Sequence, residues 1–420
     1  MDDAAMWNDT SDTFVSGALL VYRRPDDRSG MADFHQRGPI TTLHRLTAGA
    51  DAEATSSVSD PRIGKGVALL LPCLITEFDS PVLTEMVSQI SRLEWLGRVI
   101  VGIDGASKNS FAEAQQLLSS LPQEITVVWN DSPAMKAFES SVGVDPEAGK
   151  GSNLWRCIGV VAAFGGIETV VVHDADISTY ESSFVARLAH PIVDERLGFD
   201  FVKGFYPRFD RHGLNGRVTR LLVGPLLESL ASSTPASSDI SYLQSFRYPL
   251  AGEFAVRVAT ATSFAVPAHW GVDISLLLAA RAASCRVAQT DLTDKYDHKH
   301  QSLSVEHPES GLHRMARDII STTLSLNGGL TVDPTDFDRR ASEAVAAHRA
   351  NAISNSLPFD DLMEEATVDL FSNLIRQRPS FLPADLPAWD QLVERFPGCL
   401  TDLRSAVDNQ TTAPGSSETS

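Results

Sequence analysis

From about residue 66 the chain alternates short apolar runs with amphipathic stretches, and this alternation restricts its fold more than any other feature. The runs at residues 67–71, 99–103, 125–129 and 169–172 have the length and apolar character of buried strands. The stretch 81–93, by contrast, places its apolar residues at helical spacing. Strands that alternate with helices predict βαβ units. We therefore expect an α/β fold with a mostly parallel sheet and helices on both faces.

The 420 residues are enough for one large domain with appendages, or for two domains. We predict an α/β domain between a polar extension and a helical region. Within the extension, residues 40–44 alone have an ordered pattern, and 47–60 is typical of a linker. The predicted regions are 1–62 (extension, partly ordered), 63–310 (α/β domain), 311–407 (helical) and 408–420 (Ser/Thr-rich, disordered).

Composition excludes several function classes. The formal net charge of −19 disfavours binding to nucleic acid or to anionic membranes. No apolar run approaches the roughly 20 residues of a membrane-spanning helix, and the acidic N-terminus lacks the basic start of a secretory signal. We therefore expect a cytoplasmic protein. The four cysteines form no CxxC pair, which favours buried thiols over a disulfide framework or a zinc site.

Asp174 and Asp176 directly follow an apolar strand. In extended chain both side chains point the same way, and two neighbouring carboxylates are unfavourable unless a cation lies beside them. Mg²⁺ or Mn²⁺ suits such oxygen ligands and usually bridges them to substrate phosphates. The alternative is a pair of residues that cap the next helix, and the triplet alone leaves both possibilities open.

The segment Asp297-His298-Lys299-His300 is a second candidate, because two imidazoles beside a carboxylate can complete a carboxylate-rich metal site. A solvated polar loop is the alternative. Lys150 stands between two glycines, but the spacing around it is wrong for a phosphate-binding P-loop. Glycines still allow backbone and ammonium to approach a phosphate or sugar closely, and a flexible turn is the alternative.

Cations accumulate near Gly216, Arg217 and Thr219 in a chain that is otherwise acidic, and arginine suits the capture of a carboxylate or phosphate. The nearby cations are Lys203, Arg208, Arg211 and Arg220. A helix with a solvated basic face is the alternative. Asp273 begins an apolar helix, where it either suits the helix N-terminus or contacts sugar hydroxyls.

Six motifs, each weak alone, occur in an order that resembles the retaining GT-A glycosyltransferases that make glucosyl-3-phosphoglycerate. Related glucosylglycerate and mannosylglycerate synthases share this likeness, which runs from about residue 67 to about 324. The motifs are GKGSNLWR (149–156), VVVHDAD (170–176), NGRVTRLLVGPLL (215–227), YPLAGEF (248–254), WGVDISLL (270–277) and DHKHQSL (297–303). The resemblance implies a GT-A (Rossmann-like) fold with a nucleotide-sugar half, 63–180, and an acceptor half, 181–310.

The resemblance also implies roles for individual residues. Those expected to bind the donor are Pro72, Leu74, Glu77, Asp104, Lys150 and Asp174. Those expected to bind the acceptor are Gly216, Arg217, Thr219 and His300. Asp176 and His298 are expected to hold the metal, Mg²⁺ or Mn²⁺. Those expected to act in catalysis are Asp174, Asp176, Asp273 and Arg217.

Two departures from the family pattern affect the expected acceptor. Asp273 stands where the family usually has Glu, and His300 stands where some members have an Asn that helps bind the acceptor phosphate. We expect transfer of glucose from UDP- or GDP-glucose to 3-phosphoglycerate, with glycerate as the alternative acceptor and mannose as the alternative sugar. A non-catalytic nucleotide-sugar-binding protein is a more distant alternative. A nucleotidyltransferase is disfavoured, because no glycine-rich loop follows the first strand. Members of this family are often homodimers, so a dimer is possible.

Overall fold

The computed structural model describes residues 36, 38–47, 49–234, 237–298, 311–325, 330–378 and 384–411. Within these ranges the strands, in chain order, are β1 (Thr41–Leu43), β2 (Val67–Leu74), β3 (Arg98–Asp104), β4 (Glu124–Trp129), β5 (Thr169–Val172), β6 (Phe201–Phe205), β7 (Phe209–Asp210), β8 (Gly213–Leu214), β9 (Phe254–Arg257) and β10 (Val287–Asp291). Strands β7 and β8 form a hairpin. The other eight form one sheet in the order β1-β10-β6-β9-β5-β2-β3-β4. Because β9 alone in this described sheet runs antiparallel to its neighbours, the predicted mostly parallel α/β fold is confirmed.

Helices connect and cover these strands. In chain order they are α1 (Ala50–Val58), α2 (Pro61–Gly64), α3 (Pro81–Ile90), α4 (Lys108–Leu118), α5 (Pro133–Ser141), α6 (Lys150–Phe164), α7 (Ser183–Val193), α8 (Gly224–Ser233), α9 (Ser238–Leu243), α10 (Val258–Ala261), α11 (Val272–Ala282), α12 (Gly311–Leu324), α13 (Pro334–Ser354), α14 (Asp361–Gln377), α15 (Trp389–Arg395) and α16 (Cys399–Asp408). A 3₁₀ helix covers Ile75–Asp79 and a π-helix covers Val218–Val223. None of the described helices has both the length and the apolar character that crossing a bilayer requires.

The continuous apolar run in β2 is explained by burial on both faces of the sheet. Successive side chains of a strand point to opposite faces, so Leu70 packs in one core while Leu69 and Leu71 pack in the other. Helix α6 covers the first face, and helices α3, α4 and α7 contribute to the second. From Val67 to Leu71 neither face of β2 is left to water.

Strand β2 extends past Pro72 to Leu74, whereas the sequence pattern predicts that Pro72 ends it. Pairing with β5 stops at Leu70, while pairing with β3 continues to Leu74. Beyond Leu70 the strand is therefore paired on one side only. A residue without a backbone N–H is tolerated in such a position.

The prediction of a linker at residues 47–60 is wrong, because α1 lies within it. Asp51 and Glu53 suit the first turn of this helix electrostatically. Ala54 and Val58 are buried, and Asp51 Oδ1 lies 3.0 Å from Arg187 Nη1 on α7. Polar composition concealed this helix because only one narrow side of it is apolar.

The C-terminal helices attach to the α/β core through two tryptophans. The rings of Trp155 and Trp389 stack with centroids 4.4 Å apart, and Trp389 Nε1 donates to the Trp155 carbonyl at 2.9 Å. The side chain of Gln410 then pairs with the edge strand β4, accepting from Trp129 N at 2.8 Å and donating to Val127 O at 2.7 Å. It covers backbone groups that an exposed edge strand would present to other chains.

Candidate active site

The carboxyl ends of β2, β3 and β5 lie side by side at one edge of the sheet. Leu74 ends β2 opposite Asp104, which ends β3. Strand β5 is the neighbour of β2 on its other side, and Asp174 follows it by two residues. Ligands of open α/β sheets bind beyond such ends. The fold therefore gathers these three predicted site residues at one rim.

Two asparagines hold the carboxylate of Asp104. Asn130 Nδ2 donates to its Oδ1 at 2.9 Å, and Asn153 Nδ2 donates to its Oδ2 at 2.8 Å. Burial raises the pKa of Asp104, although the two amides and the nearby Arg156 oppose the rise. Asp104 lines a polar cavity of about 440 Å³ together with Glu139 and Arg156. The two asparagines therefore hold the Asp104 carboxylate at a fixed position on this cavity.

Asp176 Oδ2 lies 3.7 Å from His298 Nδ1, although the two residues are far apart in the chain. A backbone bridge joins Ile177 to His298, and Ser178 N donates to the Asp297 carbonyl at 2.9 Å, so the two segments lie side by side. An ion such as Mg²⁺, bound at about 2.1 Å from each ligand, can bridge atoms up to about 4.2 Å apart. The pair therefore fits one shared divalent ion.

Asp176 and His298 alone do not make a complete metal site. In the described ranges no group of three or more His, Cys, Asp or Glu side chains is placed to hold a metal ion. Mg²⁺ is commonly bound by one or two protein carboxylates and completes its shell with water and substrate phosphates. The coordination shell of an ion bound by Asp176 and His298 would likewise need water and substrate phosphates.

An alternating chain of charges lies at the same site. Lys150 Nζ lies 3.1 Å from Asp174 Oδ1 and 3.3 Å from Asp273 Oδ2. Lys203 Nζ donates to the other oxygen of Asp273 at 3.2 Å. Burial works against the charge of both lysines, but the aspartates raise the pKa of Lys150, whereas burial prevails at Lys203 and lowers its pKa. Each of the four side chains is held by at least one partner of opposite charge.

Glycines make room for this arrangement. A Cβ atom on Gly252 would lie 2.2 Å from Asp174 Oδ2. A Cβ atom on Gly149 would lie 2.5 Å from the Ala268 carbonyl, and one on Gly151 would lie 1.8 Å from the Pro267 carbonyl. Both glycines flanking Lys150 are thus required for close backbone approach, which places this lysine at the first turn of α6.

A buried carboxylate, Glu253, holds a tyrosine that contacts the candidate metal ligand His298. Glu253 is fully buried and accepts hydrogen bonds from the hydroxyls of Tyr206 and Tyr296, the latter at 2.6 Å. Burial, followed by the charge of Asp174, raises the pKa of Glu253. The ring of Tyr296 meets His298 edge-on, with centroids 5.7 Å apart. The network therefore helps to orient the imidazole.

A cavity of about 390 Å³ opens beside these charges. Its lining comes from both the α/β core and the C-terminal helices. Gly216 lines it together with the polar residues Lys150, Asp174, Arg208, Arg217, Thr219, Tyr248, Asp273, His298 and Glu364. Apolar side chains of the C-terminal region, among them Met315, Phe359 and Met363, form the opposite wall.

The segment from Gly216 to Arg220 is fixed at the wall of this cavity. Gly216 has a φ of +73°, and a Cβ atom there would lie 2.9 Å from the Tyr248 hydroxyl, so both conformation and space require glycine. Arg220 donates to both carboxylate oxygens of Glu364, at 2.8 and 2.9 Å. This two-fold contact ties α14 to the π-helix that follows Arg217.

Comparison with known proteins places the chain among sugar-transferring enzymes. No profile of a known protein family matches it. The glucosyl-3-phosphoglycerate synthase of Persephonella marina is 29% identical over 400 residues, which cover 90% of this chain and 98% of that protein. The synthase of Methanococcoides burtonii is 28% identical over 414 residues, covering 90% of this chain and 100% of that protein. Along nearly its whole length the chain is similar to glucosyl-3-phosphoglycerate synthases. The predicted glycosyltransferase class is thereby confirmed.

Two solved structures are similar to the chain at lower sequence identity. Glucosyl-3-phosphoglycerate synthase from Mycobacterium tuberculosis, in complex with Mn²⁺, UDP-glucose and phosphoglyceric acid, gives a TM-score of 0.49 at 25% identity over 69% of this chain and 87% of that chain. Mannosyl-3-phosphoglycerate synthase from Rubrobacter xylanophilus gives a TM-score of 0.49 at 20% identity, over 67% of this chain and 79% of that chain.

Several of the residues predicted from the likeness to glucosyl-3-phosphoglycerate synthases border two adjoining spaces. Glu77 borders a second cavity of about 510 Å³ together with Asp176 and His298. His298 also borders the 390 Å³ cavity, so the candidate metal pair lies between them. At the rim, Leu74 is 53% exposed and Pro72 is half-buried. His300 lies outside the described residues, and the family role predicted for it stays a prediction.

The four cations predicted near Gly216 differ in their burial and in their partners. Lys203 is fully buried and Arg220 is occupied by a carboxylate. Arg211 is exposed. Of these four cations, Arg208 alone borders the cavity. Sequence proximity did not distinguish them, since their environments depend on contacts from distant parts of the fold.

Sequence reasoning assigned no role to two further parts of this candidate site. Glu253 stands in the motif YPLAGEF, and its apolar neighbours were a signal that this acid is buried and needs donors. The C-terminal region, for which no functional residue was predicted, supplies Glu364 and an apolar wall. The sequence of that region has no motif that would have indicated this.

Proposed function

We propose that this protein transfers glucose from a nucleotide sugar to 3-phosphoglycerate and forms glucosyl-3-phosphoglycerate. The observation that carries the proposal is the approach of Asp176 to His298 at 3.7 Å, beside the 390 Å³ cavity that Gly216, Arg217 and Thr219 line. The nearly full-length relation to synthases of this name supports the same reaction. UDP-glucose and GDP-glucose are the candidate donors.

Asp176 and His298 would hold a divalent ion, Mg²⁺ or Mn²⁺. When bound, such an ion supplies positive charge where negative charge develops on the leaving diphosphate. Lys150 adds a fixed ammonium near the donor, and its pKa, raised by Asp174 and Asp273, keeps it charged. Asp273 presents a carboxylate to the hydroxyl groups of the transferred sugar. Arg217 holds an anionic group of the acceptor, so that both reactants are positioned before the bond breaks.

We further propose that the reaction retains the anomeric configuration through attack of the acceptor hydroxyl on the face that the diphosphate leaves. The nearby carboxylates are engaged elsewhere: Asp174 and Asp273 by lysines, and Glu253 by two tyrosine hydroxyls. These contacts disfavour each of the three as a covalent nucleophile.

A product screen tests the proposal. Purified protein is incubated with UDP-glucose, GDP-glucose or GDP-mannose, with 3-phosphoglycerate or glycerate, and with Mn²⁺, and the products are identified by mass and by NMR of the anomeric proton. We expect an α-glucosyl product with 3-phosphoglycerate. Folded protein that binds the donor without forming any glycosylated product would instead support the non-catalytic alternative.

A further inference from the structure

Arg208 carries a charge that the described protein does not balance. Its guanidinium borders the same cavity as Gly216 and Arg217. Nη1 donates to the Tyr248 hydroxyl at 3.3 Å, while Nε is buried without a hydrogen-bond partner. Within the described ranges Arg208 makes no ion pair with a carboxylate, and the groups that influence its pKa besides burial are tyrosines.

Such a group requires an explanation. A buried donor without a partner is destabilising, and more so when it is charged. Nearly all buried polar groups in proteins are therefore satisfied by protein or by bound water. In a ligand cavity, an anionic ligand beside the guanidinium stabilises such a charge. For Arg208 the acceptor must be anionic, because its charge is also unpaired.

The backbone fixes Arg208 beside the predicted acceptor segment. Its carbonyl accepts from Asn215 N at 2.9 Å, so Arg208 is hydrogen-bonded to the residue just before Gly216. The Tyr248 hydroxyl that receives Nη1 also packs against Gly216. Lys150, the lysine of this cavity, is already held by two carboxylates. Arg208 is thus a preorganised cation for an acceptor bound at Gly216 and Arg217.

We propose that Arg208 binds a second anionic group of the acceptor, so that the site selects an acceptor with two anionic groups. The inference rests on the proposed function and deepens it, because Arg217 was expected to hold only one such group. With Nη1 engaged by Tyr248 and Nε buried, Nη2 is left to donate to an oxygen of a carboxylate or a phosphate. An acceptor with two anionic groups, such as 3-phosphoglycerate, fits this site better than glycerate.

Three acceptors and one substitution test the inference. 3-Phosphoglycerate carries both anionic groups, glycerate lacks the phosphate, and glycerol 3-phosphate lacks the carboxylate. For Arg208→Met we expect kcat/KM for 3-phosphoglycerate to fall about 10- to 100-fold, the usual worth of a hydrogen bond to a charged group. One single-anion acceptor should lose the same factor, and the other should change less than about threefold. The insensitive acceptor lacks the group that Arg208 binds.

Controls keep the result interpretable. Arg208→Lys keeps the charge but loses the planar guanidinium with its fixed donors, so an intermediate loss of kcat/KM is expected. Arg211→Met removes an exposed arginine three residues away and should leave all three efficiencies unchanged. For a single-anion compound that is not turned over, its inhibition constant against 3-phosphoglycerate replaces kcat/KM.

Two results would overturn the inference: full efficiency of Arg208→Met with 3-phosphoglycerate, or equal losses with both single-anion acceptors. The second result would indicate general damage to the site rather than a lost contact. Failure of the proposed function looks different, because wild-type protein would then use none of the three acceptors before any variant is compared.

Discussion

Lys203 Nζ donates a hydrogen bond to Asp273 Oδ1 at 3.2 Å from a position with no solvent exposure. The lysine lies on the interior strand β6 and reaches a carboxylate at the start of α11, while Lys150 holds the opposite oxygen of that carboxylate. A buried charge is tolerated only with a partner. Lys203 therefore fixes the orientation in which Asp273 faces the cavity.

Replacing Lys203 with Met should destabilise the fold by about 3 kcal/mol, because removal of one partner leaves a buried charge less compensated. Lys150 remains beside Asp273 and keeps the loss at the lower end of the usual range. The double variant Lys203→Met, Asp273→Asn should lose less stability than the sum of the two single changes. Urea denaturation of the four proteins measures this, and strict additivity would contradict the contact.

Asp176→Asn should lower kcat about 10²- to 10³-fold, as is typical when one group that stabilises developing charge is removed. His298→Ala should weaken Mn²⁺ binding in the presence of UDP, measured by calorimetry, by at least about tenfold, and excess Mn²⁺ should restore part of its activity. Asp297→Asn is the matched control. Its carboxylate borders the 510 Å³ cavity together with Asp176 and His298, but it is not predicted to bind the ion. Equal weakening in all three variants would count against a site made by this pair.

Gly252→Ala should reduce kcat at least tenfold while the protein still folds, because the added Cβ would lie 2.2 Å from Asp174 Oδ2. Asp174 must then move away from Lys150, and overpacking of this kind costs about 1–3 kcal/mol. Gly49→Ala is the control, since its nearest atom would be 3.9 Å from the added Cβ. Activity assays with thermal melts compare the two, and wild-type kcat in Gly252→Ala would refute the close packing.

The stability of the metal-free protein should fall between pH 7 and pH 5 because of His173. Burial lowers the pKa of His173 to about 3, with Asp174 opposing the shift, whereas an unfolded histidine titrates near pH 6.5. The unfolded state therefore binds more protons below pH 6.5, and stability is lost as the pH falls towards 3. At pH 5 the loss from this residue is up to about 2 kcal/mol.

His173→Gln tests this pH dependence directly. Its free energy of unfolding, from urea titrations at pH 5, 6 and 7, should decline less than that of the wild type. A matched control is His212→Gln, because His212 is exposed and its removal should leave the wild-type slope. Identical slopes in His173→Gln and the wild type would show that His173 is not held neutral by the fold.

Much of this site was readable along the chain. The apolar run before Asp174 predicted a strand end, and parallel strands bring their ends to one edge, so Asp104 and Asp174 could be assigned to a common rim. The resemblance carried by the order of the motifs predicted that His298 lies at the same rim and shares a metal ion with Asp176. The linker prediction for residues 47–60 failed because α1 buries only Ala54 and Val58, too few residues to dominate a local pattern.

By itself the sequence determined the α/β layering and which segments carry the chemistry, because strand and helix periods and glycine positions are local properties of the chain. Only the tertiary structure decided how the cations differ: Lys203 is enclosed, Arg220 is paired with Glu364, and Arg208 faces the cavity without a carboxylate. Whether a charge is solvated, paired or left for a ligand depends on burial and on partners from distant segments. Those quantities exist only once the chain has folded.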